Sequence, residues 1–391
     1  MNHDAPPTPI GPGWGQSLYS GAAGVALLHV VRADTGEDDS DALRPWAAAM
    51  LKSPIQAAAE ACGLYEGAPA VAYVLSFTHA NTAKRALAAL DTHLADVTRQ
   101  RLQRAHARID RGVLPTLNEF DLISGLTGLG AYHMHCGHKT QLQDVLTYLV
   151  RLTEPITVEG QRLPGWWTGD SPDLRPTSRW PGGHGNFGLA HGIAGPLALL
   201  ATALRHAHTV PGQTQAVTRI CDWLDRWRNG IGPRAWWPEL ITRAEHRRGE
   251  LQRPGPRRPS WCYGTPGIAR AQQLAGLALG DRDRQHQAEQ ALAGCLADDQ
   301  QLAQLTDASL CHGWAGLIRT VSRVAADALD GELASHLARL NARLNEHLDQ
   351  SGLPDGVGLM DGTAGIHLVR LTEPANTPIT IPWDRCLLLT G

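Results

Sequence analysis

One short pattern recurs seven times along this chain, and it restricts the fold more than any other feature. Gly-x-x-Gly followed by an apolar run reads SGAAGVALLHVV at Gly21, SGLTGLGAYHMH at Gly125 and HGIAGPLALLATAL at Gly192. It returns as YGTPGIARAQQLAGLAL at Gly264, HGWAGLIRTVSRVAADAL at Gly313 and DGTAGIHLVRL at Gly362. A decayed copy, EGAPAVAYVLSF at Gly67, has Ala70 in place of the second glycine. The last three copies are spaced by 49 residues. After each glycine pair the residues are small and apolar, with helical rather than alternating periodicity. Between copies lie amphipathic stretches such as AKRALAALDTHLADVTRQRLQRAHARI and GELASHLARLNARLNEHLDQ. Each repeat is therefore expected to be a hairpin of two helices: a polar-faced outer one, a glycine turn, and an apolar inner one.

A single hairpin cannot bury its inner helix, so neighbouring repeats must pack side by side. No polar capping repeat is evident at either terminus, which favours a closed ring over an open solenoid. The predicted class is all-α: an α/α toroid of seven inner and seven outer helices. It is read as a single domain over residues 1–391, carrying a Trp/Pro/Gly-rich insertion at about 154–190.

Composition narrows the function classes. Net charge is −3, so neither nucleic acid nor a membrane surface is favoured electrostatically. No apolar run approaches the roughly 20 residues of a membrane-crossing helix, and the N-terminus lacks the apolar core of a signal peptide. Seven cysteines without export signals predict reduced thiols in the cytoplasm, where a paired Cys/His set points to metal or catalysis.

In a ring, every inner-helix N-terminus opens at one mouth, where unpaired N–H groups converge. One position before each glycine the copies read Ser20, Glu66, Ser124, His191, Tyr263, His312 and Asp361. Two positions before, they read Tyr19, Tyr65, Ile123, Ala190, Cys262, Cys311 and Met360. Cys262, Cys311 and His312 thus stand in equivalent or adjacent positions of neighbouring repeats. Three N/S ligands with an open fourth place are the pattern of catalytic zinc, and two soft thiolates disfavour magnesium or calcium. The bland alternative is that both cysteines are small buried hydrophobes.

Other rim residues leave two readings open. His191 is either a general acid/base or a packed histidine. Asp121, in EFDLISG, is either a helix cap or the carboxylate that orients His191. Arg258, four residues before Cys262, is either part of a solvated basic loop or the group that stabilises a developing oxyanion. His133, His135 and His138 in AYHMHCGHK read as ordinary helix residues, and Cys62, Cys136, Cys221, Cys295 and Cys386 as packing.

WCYGTPG, CHGWAG, LAHGIAG and the terminal WDRCLLL, taken together and in order, resemble the lanthionine synthetase C-like family of lanthipeptide cyclases. The resemblance runs from the first Gly-x-x-Gly to the end of the chain. It implies one Zn2+ per chain held by Cys262, Cys311 and His312, with His191, Asp121, Arg258 and Tyr263 as the catalytic set. The implied reaction is a Michael-type addition of peptide cysteine thiolates to dehydroalanine or dehydrobutyrine, forming lanthionine or methyllanthionine rings. The implied partners are a dehydrated precursor peptide of leader plus core, with a dehydratase and an exporter beside it. The chain's length suggests a stand-alone cyclase.

Two rivals remain. A ring-shaped glycosidase would use Asp361 and Glu66 as its carboxylates but leaves the Cys/Cys/His set without a purpose. A non-catalytic zinc-containing module that binds glutathione or a partner protein would keep the metal triad yet have no need of His191, Asp121 and Arg258 together. Trp166, Trp167 and Trp180, with Arg243, Arg247, Arg248, Arg253, Arg257 and Arg258, are expected to grip the peptide and its acidic leader.

Overall fold

The computed structural model describes residues 6, 11, 13–37, 40–172, 180–252, 254–372 and 380–391. Seven inner helices start at the repeat glycines: α1 (Ala22–Thr35), α3 (Ala68–Leu75), α6 (Leu126–Cys136), α8 (Ala194–Arg205), α11 (Thr265–Leu279), α14 (Trp314–Ala326) and α16 (Thr363–Thr372). Six long outer helices alternate with them among the described residues: α2 (Ser40–Met50), α4 (Asn81–Asp110), α7 (Lys139–Leu152), α9 (Gln213–Arg226), α12 (Arg282–Ala297) and α15 (Glu332–Ser351). Ahead of α1 stands a 3-10 turn, Trp14–Gln16, which packs on α1, α2 and α3. Short helices α5 (Leu117–Phe120), α10 (Arg243–Arg248) and α13 (Asp299–Leu302) lie in the connections.

Each inner helix contacts the next, and α1 contacts α16, so the α/α toroid is closed. Small apolar side chains all round let these helices be buried on every face, as the unbroken buried runs of α1, α8 and α11 show. The repeat turns are also joined by backbone hydrogen bonds. Leu18 donates to Tyr65, Leu122 to Ala190, Leu189 to Cys262, Cys262 to Cys311, Cys311 to Met360 and Met360 to Tyr19, over 2.8–3.3 Å. Each bond runs from one repeat to the following one. At the remaining junction the second repeat, which carries Ala70, meets the third through Gly63, where a methyl group would strike the backbone of Ser124.

Two glycine positions show why the pattern is needed. Gly264 has φ +94°, a conformation that L side chains rarely adopt. A Cβ on Gly267 or Gly316 would collide with the carbonyl oxygen of Trp261 or Leu310, because the turn folds back onto the helix it introduces.

The bore of the ring is filled by the C-terminal segment. Trp383–Leu387 forms a 3-10 turn, and Trp383, Cys386 and Leu387 have no exposed surface. Inner-helix and rim side chains satisfy its carbonyls: Tyr73 donates to Trp383, Tyr65 to Cys386, Trp261 to Leu387 and Arg270 to Leu389, at 2.8–3.1 Å. Asp384, fully buried, accepts from Arg319 at 2.8 Å and from Arg323 at 2.6 and 2.8 Å.

The insertion contributes two small antiparallel sheets. β1 (Ile156–Val158) pairs with β2 (Gln161–Leu163), and β3 (His184–Asn186) with β4 (Leu240–Thr242). The β3–β4 pair ties the insertion to the segment that precedes Cys262. The tryptophans divide. Trp166 and Trp167 are buried at 3% and 0% exposure, Trp166 against Trp223, so they pack the core and cannot grip a peptide. Trp180 alone of the three is half-buried; with Trp236 and Arg257 it lines a 630 Å3 surface cavity. Arg243 is also taken, bonded to Glu159, Gln161 and the Val158 carbonyl. Arg247 borders cavities of 850 and 610 Å3, while Arg253 lies outside the described residues.

Candidate active site

The rim bonds that close the ring also assemble the site. Cys262 and Cys311 are joined through the Cys262 N–H and the Cys311 carbonyl at 3.3 Å, which sets their side chains beside one another. The two sulfurs and a ring nitrogen of His312 lie within 4.8 Å of one another. Both cysteines are buried, at 5% and 7% exposure. The hydrogen bond from Cys311, with help from Ser260, Arg258 and His191 and against the effect of burial, brings the Cys262 thiol down to about 7. Cys311 is pushed in the opposite direction by the same contact. Two buried cysteine sulfurs this close form a ready ligand pair for a cation that takes both as thiolates. Nε2 of His312 faces Asp307 at 3.4 Å, which leaves Nδ1 for a ligand. The residues present therefore fit a zinc ion.

Between the third and fourth repeats, the Leu122–Ala190 bond brings the residues that flank it, Asp121 and His191, together. Nδ1 of His191 meets Asp121 Oδ2 at 2.7 Å. The other carboxylate oxygen accepts from the Ser124 and Gly125 N–H groups, both at 2.7 Å. One carboxylate oxygen thus caps the turn and the other faces His191. Burial disfavours charge on His191, but the Asp121 hydrogen bond and the negative charges of Asp121 and Cys262 outweigh it and raise its pKa. About two fifths of the His191 side chain remains open to the mouth, with Nε2 free of Asp121.

Arg258 stands near Cys262, Cys311 and Glu239, and its buried Nε has no hydrogen-bond partner among the described residues. The Tyr263 hydroxyl accepts from Asn186 Nδ2 at 3.0 Å, and burial keeps its proton on. Asn186 closes β3, and its Oδ1 accepts from the Gly188 N–H in the turn that leads to His191. Gly188 is packed against the Tyr263 ring and the Cys262 carbonyl, so no side chain fits there.

Sequence reasoning missed four neighbours. Tyr19 stands near Cys311 beside the turn of Met360, Asp307 faces His312, Asn186 holds Tyr263, and Ser260 Oγ lies 3.5 Å from Cys262 Sγ. Tyr19 occupies the same register position as both cysteines, so the repeat alignment carried its signal. The other three also stand in register, Ser260 four residues before its repeat glycine like Asp121, and Asn186 and Asp307 each six before theirs, but the polar residues at those positions differ from copy to copy.

Replacing Asp121 by Asn tests the pair through pH. Asn keeps the oxygen that caps Ser124 and Gly125 but removes the charge that raises His191. The protonated imidazole is then lost at lower pH, so any alkaline limb of a rate profile that depends on it should move downward. An unmoved limb would separate His191 from that ionisation.

A sequence profile described as "Lanthionine synthetase C-like protein" matches residues 12–388. The chain is 24% identical over 274 residues to "Nisin biosynthesis protein NisC" of Lactococcus lactis subsp. lactis. That alignment covers 69% of this chain and 64% of the relative, so it spans a little under two thirds of the other protein. A solved structure titled "Nisin cyclase" superposes with a TM-score of 0.81 at 20% identity, covering 97% of this chain and 93% of that one. Among the described residues no helix is long and apolar enough to cross a membrane. With the profile matching nearly its whole length, this chain belongs to the lanthionine synthetase C-like family.

Proposed function

We propose that this protein is a zinc-dependent lanthipeptide cyclase that closes (methyl)lanthionine rings in a dehydrated precursor peptide, and that it works as a single domain. The observation that carries the reading is the meeting of a Cys/Cys/His donor set and a carboxylate-held histidine on one rim. A purely structural zinc site or a binding module needs the first and has no use for the second.

Cys262, Cys311 and His312 would hold the ion. Bound zinc would supply the acidity that keeps a substrate thiol, with pKa about 8.5 when free, ionised at neutral pH. The substrate sulfur then attacks the β-carbon of dehydroalanine or dehydrobutyrine. The C–S bond forms as the alkene π pair moves toward the α-carbon and the adjacent carbonyl oxygen. Arg258 offers its guanidinium to the charge that develops on that oxygen. Raised in pKa and open to the mouth, the His191 imidazolium gives a proton to the α-carbon. The thiol has lost a proton and the α-carbon has gained one, so no oxidant or reductant enters. Tyr263, kept protonated and held by Asn186, offers a neutral donor at the wall of the same site.

All seven cysteines are free thiols, which supports action in the reducing cytoplasm. A dehydratase would supply the dehydroamino acids, and an exporter would remove the product. With Trp166, Trp167 and Arg243 committed to packing, a leader peptide would have Trp180, Trp236, Arg247, Arg248 and Arg257 among its available contacts.

His191→Asn tests the chemistry against the binding-module reading. Zinc content should stay at the wild-type level while cyclisation slows by about 10²–10⁴-fold, the usual contribution of a positioned proton donor. Unchanged cyclisation would remove His191 from the mechanism. Loss of zinc would make it a ligand instead.

A further inference from the structure

We propose a second metal site, formed by Asp91, Cys136 and His138 at the end of the ring opposite the rim, that takes a borderline-soft divalent cation of the zinc class. Asp91 projects from outer helix α4, Cys136 ends inner helix α6, and His138 immediately precedes α7. A carboxylate oxygen, the thiol sulfur and a ring nitrogen lie within 4.8 Å of one another. Inner helices begin at the rim, so the end of α6 is one helix length away, roughly 16 Å at 1.5 Å per residue.

Three observations make this more than a chance cluster. First, His138 Nε2 and Asp91 Oδ2 are 3.6 Å apart. That is too long for a hydrogen bond. It does match the separation of two ligands of a tetrahedral ion, roughly 3.3–3.8 Å for metal bonds of 2.0–2.3 Å. Second, each ligand is held by a neighbour on its other side. Tyr132 gives its hydroxyl proton to Asp91 Oδ1, which leaves Oδ2 to face His138, and it also contacts Cys136. Nδ1 of His138 meets Nδ1 of His133 at 3.1 Å, and the fully buried His133 is anchored through Nε2 to Thr98 at 2.9 Å. If His133 accepts the His138 Nδ1 proton, the lone pair of His138 Nε2 faces the carboxylate and thiol, an arrangement that a cation relieves. Such outer partners are characteristic of metal-bound histidine. Third, the ligands remain reachable, with the His138 and Asp91 side chains 25% and 24% exposed.

His135 takes no part. It turns to the other side of the helix, toward Ser76, Tyr73 and Phe77.

One thiolate, one imidazole and one carboxylate favour Zn2+, Co2+ or Cd2+ over Mg2+ or Ca2+. With one thiolate fewer than the rim, this site should bind more weakly and fill reversibly. Its function would be to clamp α4, α6 and α7 together, independently of the proposed cyclase reaction.

The test is a Co2+ titration of the dialysed full-length chain, read by bound metal per chain and by thiolate-to-cobalt charge-transfer absorption. Wild type should take up one equivalent more than Cys136→Ala and than His138→Gln. Both variants should keep the rim ion, the helical circular dichroism and cyclase activity. Added metal should raise the wild-type melting temperature above theirs, because binding to the folded state alone stabilises it. Equal uptake by wild type and a folded variant overturns the site. Should Cys136→Ala fail to fold, His138→Gln and Asp91→Asn give the same comparison. Failure here leaves the rim reading intact, since the rim ion is counted separately.

Discussion

Exchanging Cys311 for alanine should remove the tightly held zinc from the rim, from about one ion per chain to almost none, and abolish ring closure. The helical circular dichroism should survive. One thiolate of two is lost from the donor set, and the remaining Cys262 and His312 cannot hold the ion against dialysis. The fold does not depend on that sulfur, because the ring is closed by seven inner-helix contacts and by backbone bonds that alanine also makes. The loss of activity should exceed that of His191→Asn, since the substrate thiol is then left unbound and, at a free pKa of about 8.5, mostly protonated at neutral pH. Metal analysis and a cyclisation assay on the same preparation check it. Full activity in a zinc-free wild-type chain would end the proposal.

The second large effect concerns the bore of the ring. Asp384→Asn should destabilise the fold by about 3–5 kcal/mol, the usual consequence of removing one partner from a buried ion pair. Arg319 is 7% and Arg323 29% exposed at the side chain, and both direct guanidinium nitrogens at a carboxylate with no exposed surface. Burial alone would make Asp384 hard to ionise, yet the two arginines overcome it and hold the group well below the usual carboxylate range. A carboxyl lowered in the folded state contributes its stability above its unfolded pKa of about 3.9 and loses it as pH falls through the folded value. The contribution is therefore complete at neutral pH. Denaturant midpoints at pH 7 should separate the variant from wild type, and the two should converge in strong acid. Coincident midpoints at pH 7 would show that the ion cluster does not stabilise the bore.

Much of this architecture was legible in the repeat. Glycine positions marked the inner-helix starts because the steric demand that creates them, a turn folded against its own helix, admits no other residue at Gly267 or Gly316. The register then aligned Cys262 with Cys311 and placed His312 and His191 on the same edge. Residues whose geometry depends on irregular backbone were hidden. Asn186 reaches Tyr263 only because β3 pairs with β4, and no periodicity announces two three-residue strands. Trp166 and Trp167 misled because tryptophan in a Pro/Gly-rich segment suits a binding surface and a packed one equally well, and only Trp223 against Trp166 and His246 against Trp167 decide between the two. The bore-filling segment was equally opaque. WDRCLLL could be matched by resemblance, but its place inside the ring follows from long-range partners such as Tyr65, Tyr73 and Arg270.

The closed circle of rim turns also limits how such a protein can diversify. An open array of helical hairpins gains or loses units at its ends, and its neighbours scarcely notice. Here every turn is wedged between two others, and the repeat after Met360 is the one before Tyr65. An eighth hairpin would widen the circumference, splay the turns that pair Cys262 with Cys311, and leave a bore too broad for the segment that now fills it. A sixth-order ring would expel that segment. The number of units is thus locked, and new specificity has to be written into the links between them. The longest such graft, residues 154–190, enters between the third and fourth turns and ends at His191.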